Sequence, residues 1–134
     1  MISTELQGAF QGIFPGVITT VSKENIPNLS YISQVHYIDN EHLAVSWQFF
    51  NKTCKNIQDN PNFSVVVTSP TTFSMWKIDL NFIESLTEGD LFDEIEMALE
   101  AIASMYKAED IFKLQAIMIG KIVSIEQQFD GYEN

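Results

Sequence analysis

Hydrophobic and polar residues alternate with a period of two along much of the chain, which is typical of half-buried β-strands. In residues 42–49, for example, Leu43, Val45 and Trp47 alternate with smaller or more polar residues. Pattern and turn residues together predict six strands, at residues 17–21, 28–38, 42–49, 62–69, 72–84 and 110–127. We expect the last strand to bend or bulge near Gly120.

A helical period appears in three segments. Residues 90–106 place Leu91, Ile95 and Leu99 on one face, with Asp90 as the cap, and residues 3–11 and 51–59 predict shorter helices. Short turns and peripheral helices predict a mainly β fold, a small six-stranded antiparallel barrel.

The length and composition predict a single domain over residues 1–134. The chain has 134 residues, of which 46% are hydrophobic, and it shows no repeat or linker. Its net charge is −11, and all seven cationic residues are lysines, since no arginine occurs. Such a charge repels phosphate backbones and anionic lipid surfaces, so we expect neither nucleic acid nor membrane as a partner.

Cysteine usage and the absence of long apolar runs predict a cytoplasmic protein. The lone Cys54 argues against a disulfide framework and fits a reducing compartment. Residues 1–12 lack the basic and apolar regions of a signal peptide, and no run approaches the ~18 apolar residues of a membrane span.

The junction between the strand at 42–49 and the helix at 51–59 is a candidate anion site. The unpaired N–H groups at a helix start carry partial positive charge, and Lys52 and the Thr53 hydroxyl add a cation and a donor. Two lysines within four residues, Lys52 and Lys55, stand out in so acidic a chain. The alternative is a solvated helix start with ordinary surface lysines, and spacing alone does not separate the two.

Several motifs resemble the pyridoxamine 5'-phosphate oxidase-related proteins of the split-barrel superfamily that binds flavin mononucleotide (FMN). They are F-P-G-x-I-x-T at 14–20, P-N-x-S-Y-x-S at 27–33, S-x-Q-F-F-N-K-T-x-x-N-I at 46–57, and D-N-P at 59–61. E-x-L-T-E-G-x-L-F at 84–92, A-I-A-S at 101–104 and I-F-x-L at 111–114 extend the likeness over nearly the whole chain.

The resemblance implies a six-stranded split barrel that forms a homodimer, with FMN at the subunit interface. It implies that Tyr31, Ile32 and Ser33 line the flavin. It further implies that Lys52 and Thr53 contact the phosphate of FMN, supported by the polar residues Ser46, Gln48 and Asn56.

The chain departs from the true oxidases of this family in its lack of arginine. Those enzymes use arginines for both the flavin phosphate and the substrate phosphate, and Tyr31 stands where they place a cofactor-binding arginine. The arginine and histidine motif that grips pyridoxal phosphate is also missing. Genuine pyridoxamine phosphate oxidation is therefore not expected.

The two histidines and the cysteine are weaker candidates for a functional site. His36 and His42 lack clustered acids or thiols and form no metal pair, although His36 could lie near a flavin edge. Cys54 has no histidine or second cysteine placed to activate it, so a small core residue is the simpler interpretation. We expect no catalytic side chain and no metal site.

Two hypotheses of function follow. In the first, the protein is an FMN-dependent oxidoreductase acting on an unidentified small molecule, with the flavin carrying the chemistry. In the second, it is a non-catalytic module, either an FMN-binding sensor or a flavin-free dimeric interaction protein. Haem or a deazaflavin in the same cleft is a third option.

Overall fold

The computed structural model describes residues 2–10, 14–32, 35–47, 51–105 and 114–130, with only the backbone of Trp47, Asn51, Lys52, Ile102 and Ala103. These ranges form seven strands and three helices: α1 (Thr4–Ala9), β1 (Gly16–Val21), β2 (Pro27–Ile32), β3 (Val35–Asp39), β4 (His42–Trp47), α2 (Asn51–Asp59), β5 (Asn62–Thr68), β6 (Met75–Leu86), α3 (Asp90–Met105) and β7 (Ala116–Phe129).

All seven strands belong to one antiparallel sheet with the order β2-β1-β5-β6-β7-β4-β3. The two longest strands, β6 and β7, pair with each other from Met75↔Phe129 to Leu86↔Ile117. The first half of β6 also pairs with β5, and the first half of β7 also pairs with β4. The β6–β7 pair therefore joins two smaller groups of strands.

The prediction of a mainly β antiparallel barrel is confirmed, but the count of six strands is wrong for the described residues. The single strand expected at 28–38 is two strands, β2 and β3, at opposite ends of the strand order. Only two residues separate Ile32 from Val35, so their Cα atoms are at most about 11 Å apart. The two edges of the sheet must approach each other there, which curves the sheet into a barrel.

The barrel interior contains the main hydrophobic core. Alternate residues of β1, β4, β5 and β6 fill it, with Ile18, Val65 and Ile78 completely buried. Helix α1 adds Leu6, and α2 adds Ile57. The Ser3 hydroxyl caps α1 by accepting the Leu6 N–H at 3.1 Å.

A second core lies on the outer face of the sheet, under α3. Phe92, Ile95 and Leu99 of α3 pack against Ile117 and Ile119 of β7. The chain places α3 between β6 and β7 in sequence, so the helix folds back over strands that pair with each other. No helix of the described residues covers the outer face of β2, β1 and β5 in this way.

The irregularity predicted near Gly120 is present, although the extra residue lies on the neighbouring strand. Phe82 pairs with Gly120 while Glu84 pairs with Ile119, so β6 carries one additional residue there. A Cβ atom at Gly120 would lie 2.9 Å from Phe63 Cζ. Glycine is therefore required at this position by close packing.

Candidate functional site

Helix α2 is held against the inner face of β1 and β2. Its buried face contains two residues of the barrel core, Cys54 and Ile57, and two polar residues, Thr53 and Asn56. Burying a polar side chain is costly unless it is hydrogen-bonded, so the partners of Thr53 and Asn56 determine how the helix is seated.

Both polar side chains are paired with the strands below. The Asn28 side-chain amide donates to Thr53 Oγ1 at 3.1 Å, and the Ser30 and Thr53 hydroxyls are 3.1 Å apart. The Asn56 amide donates to the Thr20 hydroxyl, also at 3.1 Å. One contact reaches β2 and the other reaches β1, so together they fix both the rotation and the position of α2.

The predicted phosphate site lies at the start of α2. The start of α2 presents backbone N–H groups that have no partner within the helix. Thr53 has no exposed surface, so its hydroxyl serves the helix–strand contact in this structure. The side chain of Lys52 lies outside the described part of the chain, and a phosphate contact from Lys52 or Thr53 stays a prediction.

A cavity of about 550 Å³ lies between α2 and the turn that joins β1 to β2. Lys55, Asn56 and Asp59 line it from the helix, and Lys23 and Glu24 line it from the turn. The positive charges of the two lysines equal the negative charges of the two carboxylates, so the lining has no net charge. An anionic group would therefore meet two lysines there in spite of the acidic chain. Sequence reasoning missed Lys23, because only the pairing of β1 with β2 brings that turn beside the helix.

The remaining predicted residues occupy separate places. Tyr31 is 74% exposed on the outer face of β2, whereas Ile32, the next residue, is buried in the barrel core. Adjacent residues of a strand point to opposite faces, so the two cannot line one surface with their side chains. Ser33 and Gln48 lie outside the described residues.

Ser46 forms a contact that sequence reasoning did not anticipate. Its side chain is buried, and its Oγ lies 3.1 Å from His36 Nε2. Burial lowers the pKa of His36 to about 4, so the imidazole is neutral near neutral pH. The pairing of β3 with β4 accounts for this contact, since its register places His36 close to Ser46.

The uncovered outer face of the sheet carries a polar cluster. The Ser64 hydroxyl donates to Asp79 Oδ1 at 2.5 Å, and the Ser124 hydroxyl donates to Oδ2 at 2.9 Å. The hydrogen bond from Ser64 is the main reason that the pKa of Asp79 is below its usual value, with Ser124 and Lys77 adding to it. An ionised carboxylate satisfied in this way is a poor general acid.

The Cys54 thiol is buried and not activated in this structure. Burial raises the pKa of the Cys54 thiol to about 12, which agrees with its interpretation as a core residue. Within the described residues, no three His, Cys, Asp or Glu side chains are grouped to hold a metal ion. None of the helices in the described ranges is long and apolar enough to span a membrane.

Residues 2–129 match the sequence model of the pyridoxamine 5'-phosphate oxidase family. The chain belongs to this family. The match includes all seven strands and all three helices, so it applies to the whole described fold of this pyridoxamine 5'-phosphate oxidase family member. A search of curated protein sequences gave no match.

Solved structures confirm the fold of the family. An FMN-binding protein from Syntrophomonas wolfei is similar with a TM-score of 0.78 and 18% identity, over 92% of this chain and 84% of that one. The HupZ protein of Group A Streptococcus is similar with a TM-score of 0.76 and 16% identity, over 100% of this chain and 99% of that one. HutZ, a haem storage protein of Vibrio cholerae, is similar with a TM-score of 0.62 and 15% identity, over 96% of each chain.

Proposed function

We propose that this protein binds FMN and acts as an FMN-dependent oxidoreductase on a small molecule, without being a pyridoxamine 5'-phosphate oxidase. The family match over residues 2–129 is the observation that carries the proposal. The fold similarity to an FMN-binding protein supports it. The lack of arginine in the chain is the reason to set aside the named oxidase activity, because a lysine offers a point charge where arginine offers a two-pronged donor.

The groups around α2 fit the phosphate end of FMN. The first turn of the helix offers backbone N–H groups, which favour an anion, and Lys52 follows the helix start directly. Lys23 and Lys55 add positive charge at the neighbouring cavity. The hydrogen bonds of Thr53 and Asn56 to the strands keep this turn in one position, so a phosphate would meet preorganised donors.

In this proposal Tyr31, Ile32 and Ser33 face the flavin with backbone or side chain, and Ser46, Gln48 and Asn56 support the phosphate region. When bound, FMN supplies hydride or electron transfer. The chain's own part is to bind and orient. Neutral His36, ionised Asp79 and protonated Cys54 offer no activated nucleophile, which agrees with a reaction in which the cofactor carries the chemistry.

A homodimer in the cytoplasm is the assembly we propose. The outer face of β2 exposes Leu29 at 63% and Tyr31 at 74%, and large exposed apolar side chains mark a surface suited to a second subunit. FMN at that interface would contact Tyr31 from the exposed side. Sedimentation equilibrium measures the assembly, and a monomer at micromolar concentration contradicts it.

The visible spectrum of the purified protein tests the cofactor. We expect a flavin band near ~450 nm, or uptake of added FMN by apoprotein. Haem is the second candidate, because the similar HutZ is a haem storage protein, and a Soret band would indicate it. Reduction of bound flavin by a nicotinamide cofactor separates an oxidoreductase from a sensor, which would bind FMN without turning over.

Substitution of Lys52 tests the phosphate contact. Lys52→Ala should weaken FMN binding by about 1.5–3 kcal/mol, since a charge-assisted hydrogen bond is lost. Lys121→Ala is the matched control, because Lys121 is exposed on β7 and carries the same charge. Equal affinities of the two variants, measured by flavin fluorescence quenching, show that the phosphate lies elsewhere.

A further inference from the structure

A second cavity, of about 280 Å³, lies between α1, β3 and α3. Gln7 of α1 and Phe10, which directly follows α1, line it on one side, together with His36 from β3 and Glu94 and Ala98 from α3. Three separate elements form its walls, and it shares no lining residue with the cavity beside α2. The function proposed above makes no use of it.

Fixed elements hold the walls of this cavity in place. The Val35 N–H donates to the Phe10 carbonyl oxygen at 3.2 Å, which ties the end of α1 to the start of β3. Ile95, one of the lining residues, is anchored in the second core under α3. Ala98 follows Glu94 by one helical turn, and its small side chain leaves the space open.

Two polar groups of the cavity, Glu94 and His36, favour a ligand that donates hydrogen bonds, while the Gln7 amide can donate or accept. Glu94 contributes a carboxylate, which accepts only, and His36 is neutral because burial lowers its pKa. The Nε2 atom of His36 is engaged by Ser46, and within the described part of the chain Nδ1 has no partner. When Nε2 donates to Ser46, Nδ1 is an acceptor for an N–H group.

The charge around the cavity favours a cation. Every charged residue of α3 is acidic: Asp90, Asp93, Glu94, Glu96 and Glu100. Among the described residues none of these five takes part in a salt bridge, so their fields add at the helix surface. Phe10 contributes an aromatic ring edge to the apolar part of the cavity wall.

We propose that the cavity between α1, β3 and α3 binds a small planar cation with N–H donors, such as an amidine or a protonated aminoheterocycle. Glu94 pairs with its charge, His36 accepts an N–H, and Phe10 and Leu91 contact its apolar surface. The site is formed within one protomer and needs no flavin.

Binding of benzamidine to the flavin-free protein tests the proposal. We expect saturable binding with a dissociation constant below about 1 mM, together with a shift of the His36 ring signals in NMR spectra. Benzamide has the same shape without the charge, and it should bind at least about tenfold more weakly. Equal binding of the two compounds overturns the proposed class of ligand.

Variants locate the site. Glu94→Gln should weaken benzamidine binding about tenfold or more, whereas Glu100→Gln on the same helix should leave it unchanged. Ala98→Phe fills the cavity from its open side and should abolish binding while the protein stays folded, as circular dichroism would verify. If Glu94→Gln and Glu100→Gln have equal effects, the cation binds the acidic surface in general and the proposal fails.

Saturating FMN separates this site from the flavin site. Unchanged benzamidine affinity in the presence of FMN supports a distinct cavity, and full competition shows that the two ligands share one site, which overturns the proposal. Failure of the protein to bind FMN would contradict the proposed flavoprotein function alone, because benzamidine binding is measured without it.

Discussion

Helices α2 and α3 pack on opposite faces of the same sheet, and different forces hold them. Helix α2 buries Thr53 and Asn56 beside its apolar residues, and both polar side chains are hydrogen-bonded to β1 or β2. Among its described side chains, helix α3 is attached by apolar ones, including Phe92 and Leu99, and every charge on it is negative.

This difference between hydrogen-bonded and apolar attachment indicates which helix can position a ligand more precisely. Hydrogen bonds are directional, so the contacts of α2 fix its rotation as well as its distance from the strands. Apolar contact is non-directional, and it fixes the distance of α3 from the sheet more firmly than its register. Backbone groups at the start of α2 are therefore better placed to position a cofactor than groups on the outer face of α3.

The largest effect should come from removing the apolar attachment of α3. Leu99→Ala is expected to lower the free energy of unfolding by about 2–5 kcal/mol, since it removes a buried side chain and leaves a cavity. Met97→Ala, on the same helix but 70% exposed, should change it by less than about 0.5 kcal/mol. Urea unfolding measures both, and similar losses would show that α3 is not held by this core.

Acid should act through the α3 side of the molecule, where His36 is buried. Its folded-state pKa of about 4 lies below the ordinary 6.5, so between these values the unfolded chain binds a proton that the folded chain does not. Stability should therefore fall as the pH decreases through this window, by about 1.4 kcal/mol per unit at the steepest part and about 3 kcal/mol in total.

The control for this pH dependence is His36→Gln, which should flatten the profile between pH 6.5 and about 4. Asp39 and Asp79 have pKa values lowered from 3.8, so their protonation destabilises the fold only below that window. An unchanged slope in His36→Gln, measured by urea unfolding at several pH values, would contradict the assignment to His36.

The hydrogen bonds of α2 should give a smaller effect with a distinctive pattern. Asn56→Leu and Thr20→Val each leave the other side chain without its buried hydrogen-bond partner, and each should cost about 1–3 kcal/mol of stability. Replacing both partners, in the double variant Asn56→Leu with Thr20→Val, should recover much of this loss because no polar group remains unpaired. Additive losses in this double-mutant cycle would mean that the contact does not orient the helix.

The smallest effect, a gain, is expected from the charges of α3. Glu96 and Glu100 are one turn apart and repel each other, so Glu100→Lys should raise stability by about 0.2–1 kcal/mol. Glu41→Lys makes the same change of net charge in an exposed turn and controls for it. A gain of equal size in both variants would reflect the overall charge of −11 rather than the helix.

Sequence reasoning predicted the elements better than their arrangement. Period-two and period-3.6 patterns depend on neighbouring residues, so α3 and β4 lie within one or two residues of their predicted bounds. The division of residues 28–38 into β2 and β3 depends on barrel closure. Barrel closure cannot be predicted from a local sequence pattern, because it depends on contacts between strands that are distant in the sequence.

In the candidate site, too, local sequence patterns predict the elements but not the contacts between them. The junction at residues 46–57 could be found from residue types and motif, yet the burial of Thr53 against Asn28 and Ser30 could not. A hydroxyl at a helix start has the same sequence signature whether it faces solvent or a strand. Which one it faces is decided by the apolar residues Cys54 and Ile57, which turn that side of α2 inward.

The position of β7 in the sheet has a consequence for synthesis of the chain. Without β7 the strand order separates into β2-β1-β5-β6 and β4-β3, since β7 alone lies between β6 and β4. Among the seven described strands it is the last to be synthesised, and its pairing Leu43↔Gly120 joins residues far apart in sequence. Until β7 is synthesised, the edges of β6 and β4 that pair with it stay unpaired and are open to aggregation. Any dependence on chaperones should therefore be greatest before β7 is synthesised.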